Sequence, residues 1–383
     1  MSFAVYSNGQ PATTVNLSGA YLLGTDDVPL RAEITFQDGV ITCRKRAAGP
    51  AGLALLWDVP GVGTIMLDTI RVPEREKPYT LQLELARARL TRINQKTEDW
   101  GLLDFVGMED VVEEIEQARN GLIRALQADD LPTAAALGNE ALALAVKASE
   151  SLSRRHADVL FERRKQMGAF PKRVLGCAIP LDRPTEAVRK RLVAATDFVT
   201  VPIAWRDLEP SEQTFNWKPL DTWVELLSKH HIPMKGASLL SFSERHVPDW
   251  LYIYEHDFEA VRDFVSAHIG RVVQRYADRV PVWDAISGIH ACNTFHFNFE
   301  QLMELTRMCP ALIKQFAPRA VTLIDIVAPW GEYYSRNPRT IPPMLYAEMI
   351  VQNNVQFDAF GVQIYVGLGL EGMYVRDMFQ ISS

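Results

Sequence analysis

Cysteine is scarce in this sequence: four in 383 residues, at positions 43, 177, 292 and 309, and no two of them form a C-x-x-C pair. That spacing excludes a zinc ribbon or a disulfide framework and predicts small buried apolar residues, so neither metal nor cofactor is expected. Long apolar runs are also missing. No stretch of about 20 apolar residues occurs, so no membrane-spanning helix is expected. The opening "MSFAVYSNGQ" lacks the basic and apolar regions of an export leader, which makes a cytoplasmic chain the expectation. Basic blocks are absent too, with 40 Lys and Arg against 47 Asp and Glu and a net charge of -7. Nucleic acid and anionic membrane are therefore poor partners, whereas a neutral ligand meets no opposition. Nothing in the pattern speaks to oligomeric state.

What remains is an ordinary globular composition, 48% hydrophobic and 23% charged, at a length suited to two or three domains. Residues 14 to about 100 read as strands. "RAEITFQDGVITCRKR" alternates apolar and polar residues around Asp38-Gly39, a hairpin signal, and "TIMLDTIRV" and "YTLQLELARARL" continue the strand pattern. A β-sandwich-like domain over 1 to 105 is expected. Its plain role is packing or assembly; its sharper one is carbohydrate binding, with Trp57 or Tyr79 as a stacking platform. From 106 to 170 the period becomes helical in two segments parted by "ADDLP", where Asp129-Asp130 before Leu131-Pro132 supplies a cap and a first-turn proline. A helical hairpin is predicted there.

Beyond Phe170, apolar strands alternate with helical segments: "RVLGCAI" (173 to 179), "FVTVPI" (198 to 203), "MKGASLL" (234 to 240), "VPVWDAIS" (280 to 287), "AVTLIDIV" (320 to 327) and "FDAFGVQIYV" (357 to 366). Near-continuous apolar strands separated by helices imply a parallel sheet flanked by helices. The fold class expected is thus α/β, a (β/α)8 TIM-barrel-like domain over 171 to 383 with six of its eight units, in a chain that is part of a longer protein. In such barrels the reacting groups follow the strands. Tryptophan, arginine, glutamate, histidine, glutamine and tyrosine all occur at those positions, a rim suited to a polyhydroxylated ligand. An ionised Asp284 inside a parallel strand needs a partner, such as Lys235.

Residues 171 to 383 resemble glycoside hydrolase family 10, the retaining xylanases. "WRDLEPSEQTFNWKPLD" (205 to 221), "MKGASLLSFSERHVPDWL" (234 to 251), "HIGRVVQRYADRVPVWDAIS" (268 to 287) and "DAFGVQIY" (358 to 365) carry the likeness. The resemblance implies O-glycosyl hydrolysis of a β-linked poly- or oligosaccharide, and substrate contacts from Trp205, Arg206, Lys235, Asp284, Gln363 and Tyr365. It makes Asp207 and Glu209 turn and cap residues and gives Trp283 a packing role. Retaining hydrolysis needs two carboxylates about 5 to 5.5 Å apart. The resemblance puts the acid/base at Gly288, after Ser287, and the nucleophile on a seventh strand beyond Ser383. Two family histidines fall on Ala237 and Phe242, and Gln363 alone of the sugar contacts carries over unchanged. Glycine transfers no proton, so its role is a tight turn with positive φ. Glu332 is the first candidate for a substitute proton donor and His290 the second. The alternative is a catalytically inactive barrel that binds a saccharide or a protein.

Overall fold

The computed structural model describes residues 1–102, 107–169, 175–181, 186–337, 339–364 and 375–382, apart from the side chains at 186 and 189. It divides into two compact units. The first holds residues 1–170, 332–336 and 365–383; the second holds 171–331 and 337–364. The expected boundary at 171 is thus crossed twice by returning chain.

In the first unit, strands Tyr79–Thr80, Ser2–Ala4, Val40–Lys45 and Ala32–Gln37 form one four-stranded sheet in that order; Pro29–Leu30, Tyr21–Leu23, Gly52–Val59 and Gly63–Asp68 form another. Gln37 pairs with Val40 across the Asp38-Gly39 turn, whose two central residues have φ of 51° and 76°. Such a turn matches the right-handed twist of the strands it joins. The segment "YTLQLELARARL" departs from expectation: from Leu81 to Asp99 it is a helix, not a strand. Leu81, Leu83 and Leu85 alternate, but Gln82, Glu84 and Ala86 are buried as well. The first ten residues of this helix are covered on nearly all sides and so show no apolar stripe, and their Leu, Ala, Arg, Gln and Glu content favours helix.

That helix packs against the expected pair, Glu109–Leu126 and Leu131–Gln166. Asp130 caps the longer one, its Oδ1 accepting from Thr133 N at 2.8 Å, with Pro132 in the first turn. A short helix, Met378–Ser382, returns to this unit and buries Phe379 in its core.

The second unit is built on six parallel strands, hydrogen-bonded in sequence order: Gly176–Ala178, Phe198–Pro202, Met234–Ala237, Val282–Ser287, Val321–Val327 and Ala359–Gln363. Helices between them bury Leu220, Trp223, Val261, Val265, Leu302 and Leu305 with Val199, Val201 and Ile286 from the sheet. Trp283 is fully buried and lies over Gly236, where an added Cβ would stand 2.7 Å from the indole. The end strands are the exposed ones: all three residues of Gly176–Ala178 are exposed, and Val362 is 57% accessible. Cys43 and Cys309 are buried as expected; Cys177, on an end strand, and Cys292 are exposed.

Candidate functional site

The third to sixth strands bring polar side chains into the sheet interior. Parallel register sets Lys235 beside Val282, Ser287 beside Asp325, and Asp325 beside Gly361. Lys235 Nζ lies 3.9 Å from Asp284 Oδ2 and 4.0 Å from Asp325 Oδ2. Ser238 Oγ donates to Asp284 Oδ2 at 3.2 Å, and Gln363 Nε2 donates to both Asp325 Oδ2 (2.7 Å) and Ser287 Oγ (2.8 Å). The two aspartates are 1% and 3% exposed. Burial first, and the neighbouring Asp325 second, hold the Asp284 carboxyl well above the usual range, against the pull of Lys235. Oδ1 of each aspartate has no hydrogen-bond partner among the described residues. At Gly361 a Cβ would overlap Asp325 Oδ1 at 1.9 Å, so only glycine admits this carboxyl.

Of this cluster the sequence reading anticipated Lys235, Asp284 and Gln363 but missed Asp325. The signal was present: "LIDIV" embeds a carboxylate in an apolar strand as plainly as "VWDAI" does, and either one demands a partner.

The position that the resemblance gives to the acid/base is a turn. Gly288 has φ +68°, its carbonyl accepts from Ala291 N (3.0 Å) and Cys292 N (2.8 Å), and an added Cβ would sit 2.8 Å from Val327 Cγ2. Local backbone and the facing side chain both reject a larger residue.

Three expected site residues do other work. Trp205 is 4% exposed; its Nε1 donates to Glu209 Oε2 at 2.8 Å and its ring stacks on His268 at 4.4 Å, so it is core and offers no face to a ligand. His290 is fully buried, its Nε2 against Val327 O at 3.1 Å and its ring stacked on Tyr346. Burial pulls its pKa down to about 4, which leaves a neutral core imidazole in place of an acid. Glu332 belongs to the first unit, 6% exposed and ion-paired with Arg376, whose Nη2 also donates to Tyr21 Oη at 3.2 Å. A carboxylate held by a buried guanidinium is an acceptor, not a free acid.

Arg206 is half-exposed on the wall of a cleft of about 660 Å³ shared with Asp207, Asn216 and Asp249, but it is engaged by Asp249 Oδ2 (2.8 Å) and Glu244 O (3.0 Å). Glu209 closes its own loop, accepting from Gln213 N at 2.9 Å. Tyr365 lies outside the described residues. Tyr79 is buried, its hydroxyl donating to Pro73 O, and is no platform.

The family model Glycosyl hydrolase family 10 matches residues 172–303. Over this segment, about a third of its length, the chain is similar to glycosyl hydrolase family 10. Similar curated proteins include endo-1,4-beta-xylanase C of Paenibacillus barcinonensis, 26% identical over 129 residues, or 30% of this chain and 11% of the relative. Endo-1,4-beta-xylanase A of Halalkalibacterium halodurans is 29% identical over 97 residues, 21% of this chain and 24% of the relative. The chain therefore spans a quarter or less of these two relatives. Among solved structures, a family 10 protein from Paenibacillus barcinonensis is 20% identical with a TM-score of 0.40, covering 52% of this chain and 63% of that one. Xylanase 10B of Thermotoga maritima is 16% identical, TM-score 0.40, covering 51% and 62%. Within the matched segment, Lys235, Asp284 and Ser287 are polar residues of the sheet interior, and Gly288 is its turn.

Proposed function

We propose that this protein acts on a β-linked polysaccharide by O-glycosyl hydrolysis, in the manner of a divergent xylanase, on a barrel of the (β/α)8 type, with the acid/base glutamate of the family replaced by Gly288. The observation that carries the reading is coincidence: the family match at 172–303 covers the strands that supply Lys235, Asp284 and Ser287, and the strands that follow complete the same buried cluster with Asp325 and Gln363. A raised carboxyl buried within the sheet, as Asp284 is, is the kind of group that proton donation requires. Lys235, with its side chain 22% exposed, joins that group to solvent. The test is release of reducing ends from β-1,4-xylan and a panel of β-glucans by the full-length protein. No release from any of them, with the protein folded, would overturn hydrolysis.

A second reading, a barrel that binds saccharide without turnover, is favoured by one specific finding: Gly288, His290 and Glu332 all lack the geometry of a proton donor. Calorimetric titration of wild type and Asp325→Asn with the same glycans separates the two, because binding heat that Asp325→Asn reduces, without reducing ends, supports only the second.

A further inference from the structure

We propose that a cleft in the first unit is a binding site for a neutral saccharide. Its volume is about 590 Å³, within the range of small-ligand pockets, and its walls include Tyr6, Trp57, Asp58, Asn139 and Glu140, with Gln82 among its lining residues. Three observations support it. First, the aromatic wall is fixed: Trp57 Nε1 donates to Asn139 Oδ1 at 2.9 Å, which holds the half-buried indole in one orientation. A pre-oriented ring gives a sugar face an apolar surface at little entropic cost. Second, Gln82 is 2% exposed and commits its Nε2 to Tyr6 O at 2.7 Å, while its Oε1 has no hydrogen-bond partner among the described residues. The bond fixes this amide in the cleft lining, so that part of the lining, like the indole, needs no reordering when a ligand arrives.

Third, no lysine, arginine or histidine is among the described residues that line the cleft, which instead presents two carboxylates, Asp58 and Glu140. Phosphates, sulfates and uronic acids are thereby excluded. A ligand rich in hydroxyl donors, with apolar ring faces and no negative charge, matches rings, amides and carboxylates together. The site does not depend on the reaction proposed for the barrel.

The experiment is calorimetric titration of the full-length protein with xylohexaose, cellohexaose and an oligogalacturonate. A neutral hexaose should bind with an affinity that falls at least tenfold in Trp57→Ala and in Glu140→Lys, persists in Asp325→Asn, and exceeds that for the oligogalacturonate. Glu140 is exposed on its helix, so Glu140→Lys decides the matter if Trp57→Ala fails to fold. The proposal is overturned if the folded variants bind as the wild type does, if neither neutral hexaose binds, or if the oligogalacturonate binds equally well.

Discussion

Replacing Gly288 by alanine should destabilise the second unit, and the amount follows from two terms. Its φ of +68° puts any L-residue in the left-handed region, a penalty of about 1–2 kcal/mol. The new Cβ would meet Val327 Cγ2 at 2.8 Å and Cγ1 at 3.0 Å, an overpacking that costs typically about 1–3 kcal/mol. Together these predict a loss of about 2–5 kcal/mol. Trimming the neighbour in the double variant Gly288→Ala/Val327→Ala should return only the second term, so the double-mutant cycle should show a coupling of about 1–3 kcal/mol. Urea denaturation followed by tryptophan fluorescence measures all four corners of the cycle. A Gly288→Ala variant within about 0.5 kcal/mol of wild type, or a cycle that is simply additive, would refute the claim that this residue is glycine for steric reasons. It follows that Gly288→Glu should not restore family chemistry, because the side chain begins in a clash.

Asp284 is raised by burial and by Asp325, so its contribution to stability is present below the unfolded carboxylate value near 4 and is lost as pH rises toward its folded value; Asp325→Asn should flatten the fall of the urea midpoint above pH 4, and an unchanged slope would count against the pair. His290 works in the opposite sense: its folded pKa of about 4 lies below the unfolded 6.5, so stability present above pH 6.5 falls as pH drops toward 4, and His290→Phe should lessen that fall without reducing glycan turnover. Arg376→Met should lower stability by about 3–5 kcal/mol, since it strands the buried Glu332 carboxylate. Glu332→Gln should leave turnover unaltered, and a collapse of activity in a folded Glu332→Gln protein would reinstate that residue as the donor.

The parallel sheet was legible because each of its strands is an apolar run with helical sequence on either side, and such runs have few alternatives in a soluble chain. The helix at Leu81–Asp99 was not legible. Burial of its first ten residues on nearly all sides erased its period, and the alternating leucines at 81, 83 and 85 imitated a strand. At the site, Asp284 and Lys235 could be paired from sequence because an ionised group in a strand requires company. Trp205 and His290 misled for one shared reason: residue type advertises chemistry, whereas depth decides it, and both sit where only packing partners reach. Glu332 follows the fifth strand in sequence, yet its partner Arg376 lies 44 positions away, a distance over which no local pattern reports.

The central claim, that the barrel cleaves a β-linked polysaccharide without a proton donor at position 288, is tested most directly by assaying reducing ends released from β-1,4-xylan by the full-length protein, side by side with calorimetric binding of the same glycan. Release that is lost in folded Asp325→Asn is the result predicted. Binding heat with no release would contradict it.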